Sequence, residues 1–394
     1  MIEPCVLRAG FLLPIAAGPI AGGAVAVRDG RIVWVGTADS SGRPSWPVRE
    51  LGPGVLLPGL VNAHTHLELS ALRDRVTGAG FTEWVAALVE ARGLVAPEAT
   101  REAVRSAISD LEQRGTVAVG DVSNGLEHVD LLGESRLSAV VYYEQLAWAP
   151  ERARRVLDQA EARLRELRLP AHVVVRLAAH APHSVSPPLL RAMAARGGPA
   201  ALHLAESPDE VRFLRTGDGA WSDFLRARVG GVDFDAPGLS PVAYAEALGV
   251  LHPGLVAAHC VQVDASDVGR LARHGVSVVA CPRSNRRLGL GVPPVPELLA
   301  AGVNVALGSD SLASAPSLDV LDDAVALRRE FPALAPGAIL SAATLGGALA
   351  LGFDDLGTLV AGRRAALAFA PGPPSLDEPE AFLLSGRARV RSVA

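Results

Sequence analysis

From Leu56 onward the chain repeats one unit eight times: a short run rich in Val, Ala and Leu, followed by an amphipathic stretch of helical period. Strand-like runs alternating with helices are the mark of a parallel sheet with crossover helices. The runs begin near Leu57, Thr116, Ser138, His172, Ala200, Gly254, Ser277 and Asn304, and stretches such as Glu151 to Arg168 and Asp267 to His274 supply the helices. Eight is the closing number of a barrel, so the pattern predicts an α/β chain with a (β/α)8 TIM-type barrel. The first fifty-odd residues differ. Ala24 to Arg28, Asp29-Gly30 and Ile32 to Gly36 read as a hairpin. Strand-like composition returns at Gly357 to Ala370, after a helical stretch from Gly337 to Leu351. The expected organisation is a small β-sandwich domain built from both ends, residues 1–55 and 355–394, around a barrel at 56–354.

Composition narrows the chemistry. All 37 basic residues are arginine, so no carboxylated lysine can bridge two metals and no lysine Schiff base can form. The net charge of -5 offers no basic surface for phosphates, which points to a small-molecule substrate rather than nucleic acid. Cys5, Cys260 and Cys281 are too few and too far apart for a disulfide framework, and a reducing, cytoplasmic setting is expected. The uncharged stretch from Ala9 to Val27 is interrupted by Pro14, Pro19 and several glycines, so it reads as strands and turns, not as a membrane segment.

Polar residues gather where the strands end, the face of a barrel that carries active sites. The first strand ends His64-Thr-His66-Leu-Glu68. Histidines two apart on an extended segment point the same way and can meet one ion. Alone, such a pair is weak evidence. It gains force because the fifth strand ends in His203 followed by Glu206, the sixth in His259-Cys260 and the eighth in Gly308-Ser-Asp310. Three imidazoles and a carboxylate, from His64, His66, His203 and Asp310, suit one divalent ion, with Zn2+ expected before Fe2+ and a further position left for water. Glu206 and His259 remain as acid–base groups. A closed structural site would use four protein ligands, usually with several cysteines, and would leave both idle. His66-Leu-Glu68 also satisfies half of the cytidine deaminase signature, but its Pro-Cys-x-x-Cys partner is missing.

Taken together, Pro58-Gly-Leu-Val-Asn-Ala-His-Thr-His, His203-x-x-Glu206, His259-Cys260 and Gly308-Ser-Asp310 resemble the amidohydrolase superfamily along essentially the whole chain. The similar branch holds the cytosine, guanine and S-adenosylhomocysteine deaminases and the triazine chlorohydrolases. The resemblance implies that His64, His66, His203 and Asp310 hold the metal, with Asp310 also passing protons. It further implies that Glu206 moves protons to the ring nitrogen and that His259 orients or deprotonates the water. One departure lies near the C terminus, where Gly362-Arg-Arg-Ala-Ala-Leu stands for the family's frequent Gly-Lys-x-Ala-Asp-Leu.

Softer segments, Phe81-Thr-Glu-Trp84, Gly120-Asp-Val-Ser-Asn124 and Pro282-Arg-Ser-Asn285, are similar to members of this branch that deaminate 6-aminodeoxyfutalosine, a benzoate-bearing adenine nucleoside on a route to menaquinone. On that resemblance His180, Arg283, Asn285, Glu68 and His183 are the candidate substrate contacts. Arg283 would offer its planar fork to the benzoate, against the alternative of a salt bridge. Glu68 would reach the ribose, against the default of a structural hydrogen bond. Phe81 and Trp84 sit at helical spacing, which packing explains as well as recognition. S-adenosylhomocysteine, methylthioadenosine, guanine, pterin and triazine remain alternative substrates. An inactive barrel serving as an interaction protein is the alternative of another class. No membrane partner is expected, and a homodimer is left open.

Overall fold

The computed structural model describes residues 3–229 and 234–393. Its centre is eight parallel strands: β1 (Leu60–Thr65), β2 (Thr116–Ser123), β3 (Ser138–Gln145), β4 (Val173–Ala179), β5 (Ala200–Leu204), β6 (Leu255–His259), β7 (Ser277–Ala280) and β8 (Val305–Leu307). They pair as two four-stranded sheets, β4-β3-β2-β1 and β5-β6-β7-β8. Where the two sheets meet, a few backbone bonds link them. His203 N–H donates to the His180 carbonyl at 2.8 Å on one side, and Asp310 N–H donates to the His64 carbonyl at 3.0 Å on the other.

Helices follow the strands as the sequence pattern predicts. The stretch expected at Glu151 to Arg168 forms Ala153–Glu166. That expected at Asp267 to His274 forms Ala265–Arg273, where the Asp264 side chain accepts from Asp267 N–H and satisfies one of the free amides of the first turn. The stretch from Gly337 to Leu351 divides into Pro336–Ala342 and Leu345–Leu351, because Thr344 between them leaves helical geometry.

Both chain ends enter a separate pair of sheets. Gly23–Arg28 and Arg31–Thr37 form the expected hairpin, with Asp29 and Gly30 both at positive φ as a two-residue primed turn requires. Leu367–Pro371 pairs antiparallel with Gly54–Pro58 and with Arg391–Val393. One boundary shifts. Leu57 and Pro58, expected to open the first core strand, belong to the Gly54–Pro58 strand of this terminal sheet, and β1 starts only at Leu60. Gly59 turns the chain between them, and a side chain there would run into Val117, with its Cβ 2.2 Å from Cγ1. The terminal sheets bury Leu12, Val25, Ile32, Leu56 and Phe369 in a cluster of their own, and side chains of this kind stabilise by about 1.5–3 kcal/mol each when fully buried. The stretch from Ala9 to Val27 forms short strands of these sheets and the turns between them, and among the described residues no helix is long and apolar enough to cross a membrane.

Candidate active site

At the C-terminal ends of the strands four histidine rings crowd together. His64 and His66 leave β1 on the same side, their ring centroids 5.0 Å apart, and His203 from β5 stands 4.9 Å from His64 and 5.3 Å from His66. One nitrogen from each of the three lies within 4.8 Å of the others. Asp310 Oδ1 closes the group at 3.6 Å from His66 Nε2 and 4.0 Å from His64 Nε2. His64 Nε2 is buried without a hydrogen-bond partner. An orphaned imidazole nitrogen, facing two further imidazoles and a carboxylate, fits a divalent cation. His203 is oriented to bind as well. Its Nδ1 lies 3.1 Å from the His180 carbonyl, which places the proton there and leaves Nε2 as a ligand lone pair.

The backbone is distorted at these positions. Ala205, His259, Cys260 and Asp310 all have positive φ, between 47° and 73°. For residues other than glycine such geometry costs of order 1–3 kcal/mol each and concentrates at functional sites. Here it turns the chain sharply at three strand ends and delivers Glu206, His259 and Asp310 into one space. Glu206 Oε1 lies 3.5 Å from His259 Nε2. Burial pushes the Glu206 carboxyl up to about 8, helped by the charges of Asp310 and Glu210 and opposed by His203. Burial takes the His259 imidazole down to about 3, so it is neutral. Burial likewise lowers His64. His203 differs: burial pulls it down, yet the hydrogen bond and charge of Glu144 outweigh this and lift it to about 9. A cation held by His203 would therefore have to displace a proton.

Several side chains that hold this group carry no motif of their own. Ser284 and Ser314 both donate to Asp310 Oδ2, at 2.5 Å and 2.9 Å, and so orient the carboxylate. Glu210 accepts the backbone N–H groups of Ala205 and Glu206, at 3.2 Å and 2.8 Å, and fixes the loop that presents Glu206. Glu144, at the end of β3, stands 3.4 Å from His203 Nδ1. A sequence signal existed for two of them: Ser284 lies inside the Pro282-Arg-Ser-Asn285 segment, and Glu210 follows Glu206 by four residues.

The expected substrate contacts separate. His180 stays beside the cluster, its ring 4.9 Å from that of His203 and its Nδ1 held by Ser184 Oγ at 2.5 Å. Asn285 is fully buried and donates to His259 Nδ1 at 3.0 Å, which leaves the proton of His259 on the nitrogen facing Glu206. Glu68 accepts from Ser123 Oγ and Asn124 N–H and pairs with Arg92 at 2.8 Å, the structural bonding that was the alternative to a ribose contact. His183 is buried against Trp221, ring centroids 4.2 Å apart. Arg283 lies outside the cluster. Its guanidinium is taken by Asp323 at 2.7 Å, Asp322 at 3.3 Å, Ser317 and the Asp319 carbonyl, so protein acceptors fill the fork expected to read a carboxylate. Phe81 stacks with Trp84 and meets Trp221 edge-on, which is packing.

An α/β core that brings imidazoles, a carboxylate and a buried acid together at its strand ends is the frame of a metal-dependent hydrolase. The chain belongs to the amidohydrolase family, whose model matches residues 55–392; it is a hydrolase acting on carbon–nitrogen bonds. It is 34% identical over 350 residues to the aminodeoxyfutalosine deaminase of Deinococcus radiodurans, covering 82% of this chain and 81% of that one. It is 31% identical over 363 residues to the 5-methylthioadenosine/S-adenosylhomocysteine deaminase of Pelotomaculum thermopropionicum, covering 88% of this chain and 79% of that one. Among solved structures, a Xanthomonas campestris adenosine deaminase with bound zinc matches with a TM-score of 0.77 and 28% identity, covering 98% of this chain and 90% of that one.

Proposed function

We propose that the chain hydrolytically deaminates the adenine of a nucleoside at C6, with 6-aminodeoxyfutalosine, on a route to menaquinone, as its substrate. The observation that carries the reaction class is the convergence of Glu206 and His259, 3.5 Å apart, on the His64, His66, His203 and Asp310 cluster. The 34% identity to the Deinococcus enzyme supports that choice of substrate.

Those four side chains would hold one divalent ion, Zn2+ before Fe2+. When bound, such an ion is a Lewis acid that brings the pKa of a water near neutrality. The rest falls to the chain's own groups. Glu206, kept protonated by burial, gives its proton to the ring nitrogen next to C6, so the ring can accept electrons as water adds. His259, neutral and fixed through Asn285, aligns that water with its Nε2. Asp310, held by Ser284 and Ser314, takes the proton of the adding water and passes it to the departing amine. As the amine leaves, Glu206 takes back a proton from the hydroxyl now on C6, so both carboxyl groups return to their starting state and adenine and water give hypoxanthine and ammonia. His180 borders the same space and serves as a binding residue.

The two parallel sheets are read as one (β/α)8 barrel at 56–354, joined through the His64–Asp310 and His180–His203 backbone bonds, with residues 1–55 and 355–394 as the β-sandwich domain. A cytoplasmic enzyme working on a small nucleoside, with no nucleic acid or membrane partner, fits this reading.

The 31% identity to the Pelotomaculum enzyme favours a second reading, deamination of methylthioadenosine or S-adenosylhomocysteine. Ammonia release from a panel of aminated purine nucleosides decides between them. The highest kcat/KM is expected with 6-aminodeoxyfutalosine. Faster turnover of methylthioadenosine or S-adenosylhomocysteine promotes the second reading, and no release from any adenine nucleoside rejects both.

A further inference from the structure

A continuous polar chain leaves the histidine cluster on the side away from Glu206. His203 Nδ1 faces Glu144 Oε1 at 3.4 Å. The other oxygen of Glu144 accepts from Asn124 Nδ2 at 2.8 Å. Asn124 is itself clamped: its backbone N–H donates to Glu68 at 3.2 Å, and its Oδ1 accepts from Arg92 at 2.6 Å. Arg92 closes the chain by pairing with Glu68 at 2.8 Å. These residues come from the ends of β1, β2, β3 and β5 and from the helix Phe81–Gly93, so no local motif unites them.

Glu144 is 6% exposed, and among the described residues no lysine or arginine pairs with it. A carboxylate buried without a cation costs several kcal/mol unless a group of positive character faces it. His203 is that group, and Asn124 keeps the carboxylate from swinging away. A carboxylate behind a ligating imidazole fixes the ring and makes its far nitrogen a better donor to an ion.

We propose that Glu144 is a positioning residue for His203: held in place by Asn124, and through it by Glu68 and Arg92, it fixes the His203 ring and strengthens that ring as a metal ligand. The inference rests on His203 being a metal ligand, and not on which nucleoside is the substrate. The His180 carbonyl shares the Nδ1 proton and sets the tautomer, while Glu144 supplies the charge.

Titration of the metal-stripped protein with Co2+, in competition with a chromophoric chelator, tests this without any nucleoside. Glu144→Ala should lower Co2+ affinity about 10- to 100-fold and shift the visible absorption of the cobalt protein. Glu144→Gln keeps an acceptor but loses the charge, and should show a smaller loss in the same direction. Asn124→Ala frees the carboxylate and should fall between wild type and Glu144→Ala. Wild-type affinity and spectrum in folded Glu144→Ala would overturn the proposal; if that variant does not fold, the same result in the near-isosteric Glu144→Gln overturns it. A raised KM with unchanged Co2+ affinity also overturns it, because Glu144 would then be a substrate contact. A protein that loses Co2+ affinity as expected but deaminates no nucleoside leaves this inference standing and removes only the substrate reading.

Discussion

The backbone N–H of Asp310 donates to the carbonyl oxygen of His64 at 3.0 Å, so the end of the eighth core strand is tied directly to the end of the first. Thr65 Oγ1 and His66 N–H return bonds to the Asp310 carbonyl, at 2.9 Å and 3.4 Å. The approach is close because residue 308 is glycine: a Cβ there would sit 2.8 Å from both Cβ and O of His64 and 2.9 Å from Val279.

Gly308→Ala must therefore push β8 away from β1. Overpacking of this kind typically costs about 1–3 kcal/mol. Because the displaced strand carries Asp310, metal affinity should fall together with stability. Urea unfolding and metal titration of one preparation check this; a variant with unchanged metal affinity would show that the His64–Asp310 link does not set the ligand geometry.

Glu206→Gln should keep its metal and lose turnover. The glutamate faces His259 rather than completing the His64, His66, His203 and Asp310 group, and a positioned general acid contributes about 10² to 10⁴ in rate. The amide preserves shape but has no acidic proton to give. Metal analysis beside steady-state kinetics separates the two functions, and near wild-type kcat would remove Glu206 from the mechanism.

Arg283→Ala should act on stability, not on selectivity. Asp323, fully buried, would lose its 2.7 Å partner, and breaking a buried pair from one side costs about 3–5 kcal/mol. Burial already pushes the Asp323 carboxyl up to about 6 even with the arginine beside it. Asp323→Asn in the same chain should restore part of the loss. KM for benzoate-bearing and plain adenine nucleosides should change in equal proportion; a selective rise for the benzoate-bearing one would return Arg283 to substrate recognition.

The legibility of this site follows from distance along the chain. His64 and His66 declare themselves because two-residue periodicity in a strand is a local property, and Glu206 follows His203 within one loop. The order of eight strand-like runs is local too, and only the start of the first differs, since Gly54–Pro58 is as apolar as the strand after it. Arg283 misleads because chemistry attaches to a side chain's type, whereas its partners lie 34 to 40 residues further on. Its neighbour Ser284, in the same Pro282-Arg-Ser-Asn285 segment, is the one that makes the contact with Asp310. Glu144 is invisible for the same reason: nothing near it in sequence shows that its side chain at the end of β3 reaches His203 on β5.

Outside the histidine cluster, the buried His128–Asp121 pair should make stability depend on pH. His128 Nε2 lies 2.7 Å from Asp121 Oδ2, and the other oxygen of Asp121 accepts Leu67 N–H at 2.8 Å, just beyond His66. Burial lowers the pKa of His128, but the charge and hydrogen bond of Asp121 outweigh it, and the net displacement is upward from 6.5. The folded state therefore binds this proton more tightly than the unfolded chain does. The resulting stabilisation is fully present below the unfolded value of 6.5 and is lost as pH rises through the higher folded value. As pH rises from the unfolded value of 6.5 through the higher folded one, the unfolding free energy of the wild type should fall more than that of His128→Gln, whose amide cannot titrate. Urea unfolding across that range measures the difference in slope. Parallel curves would show that His128 is neutral in the folded protein and that the Asp121 contact is an ordinary hydrogen bond.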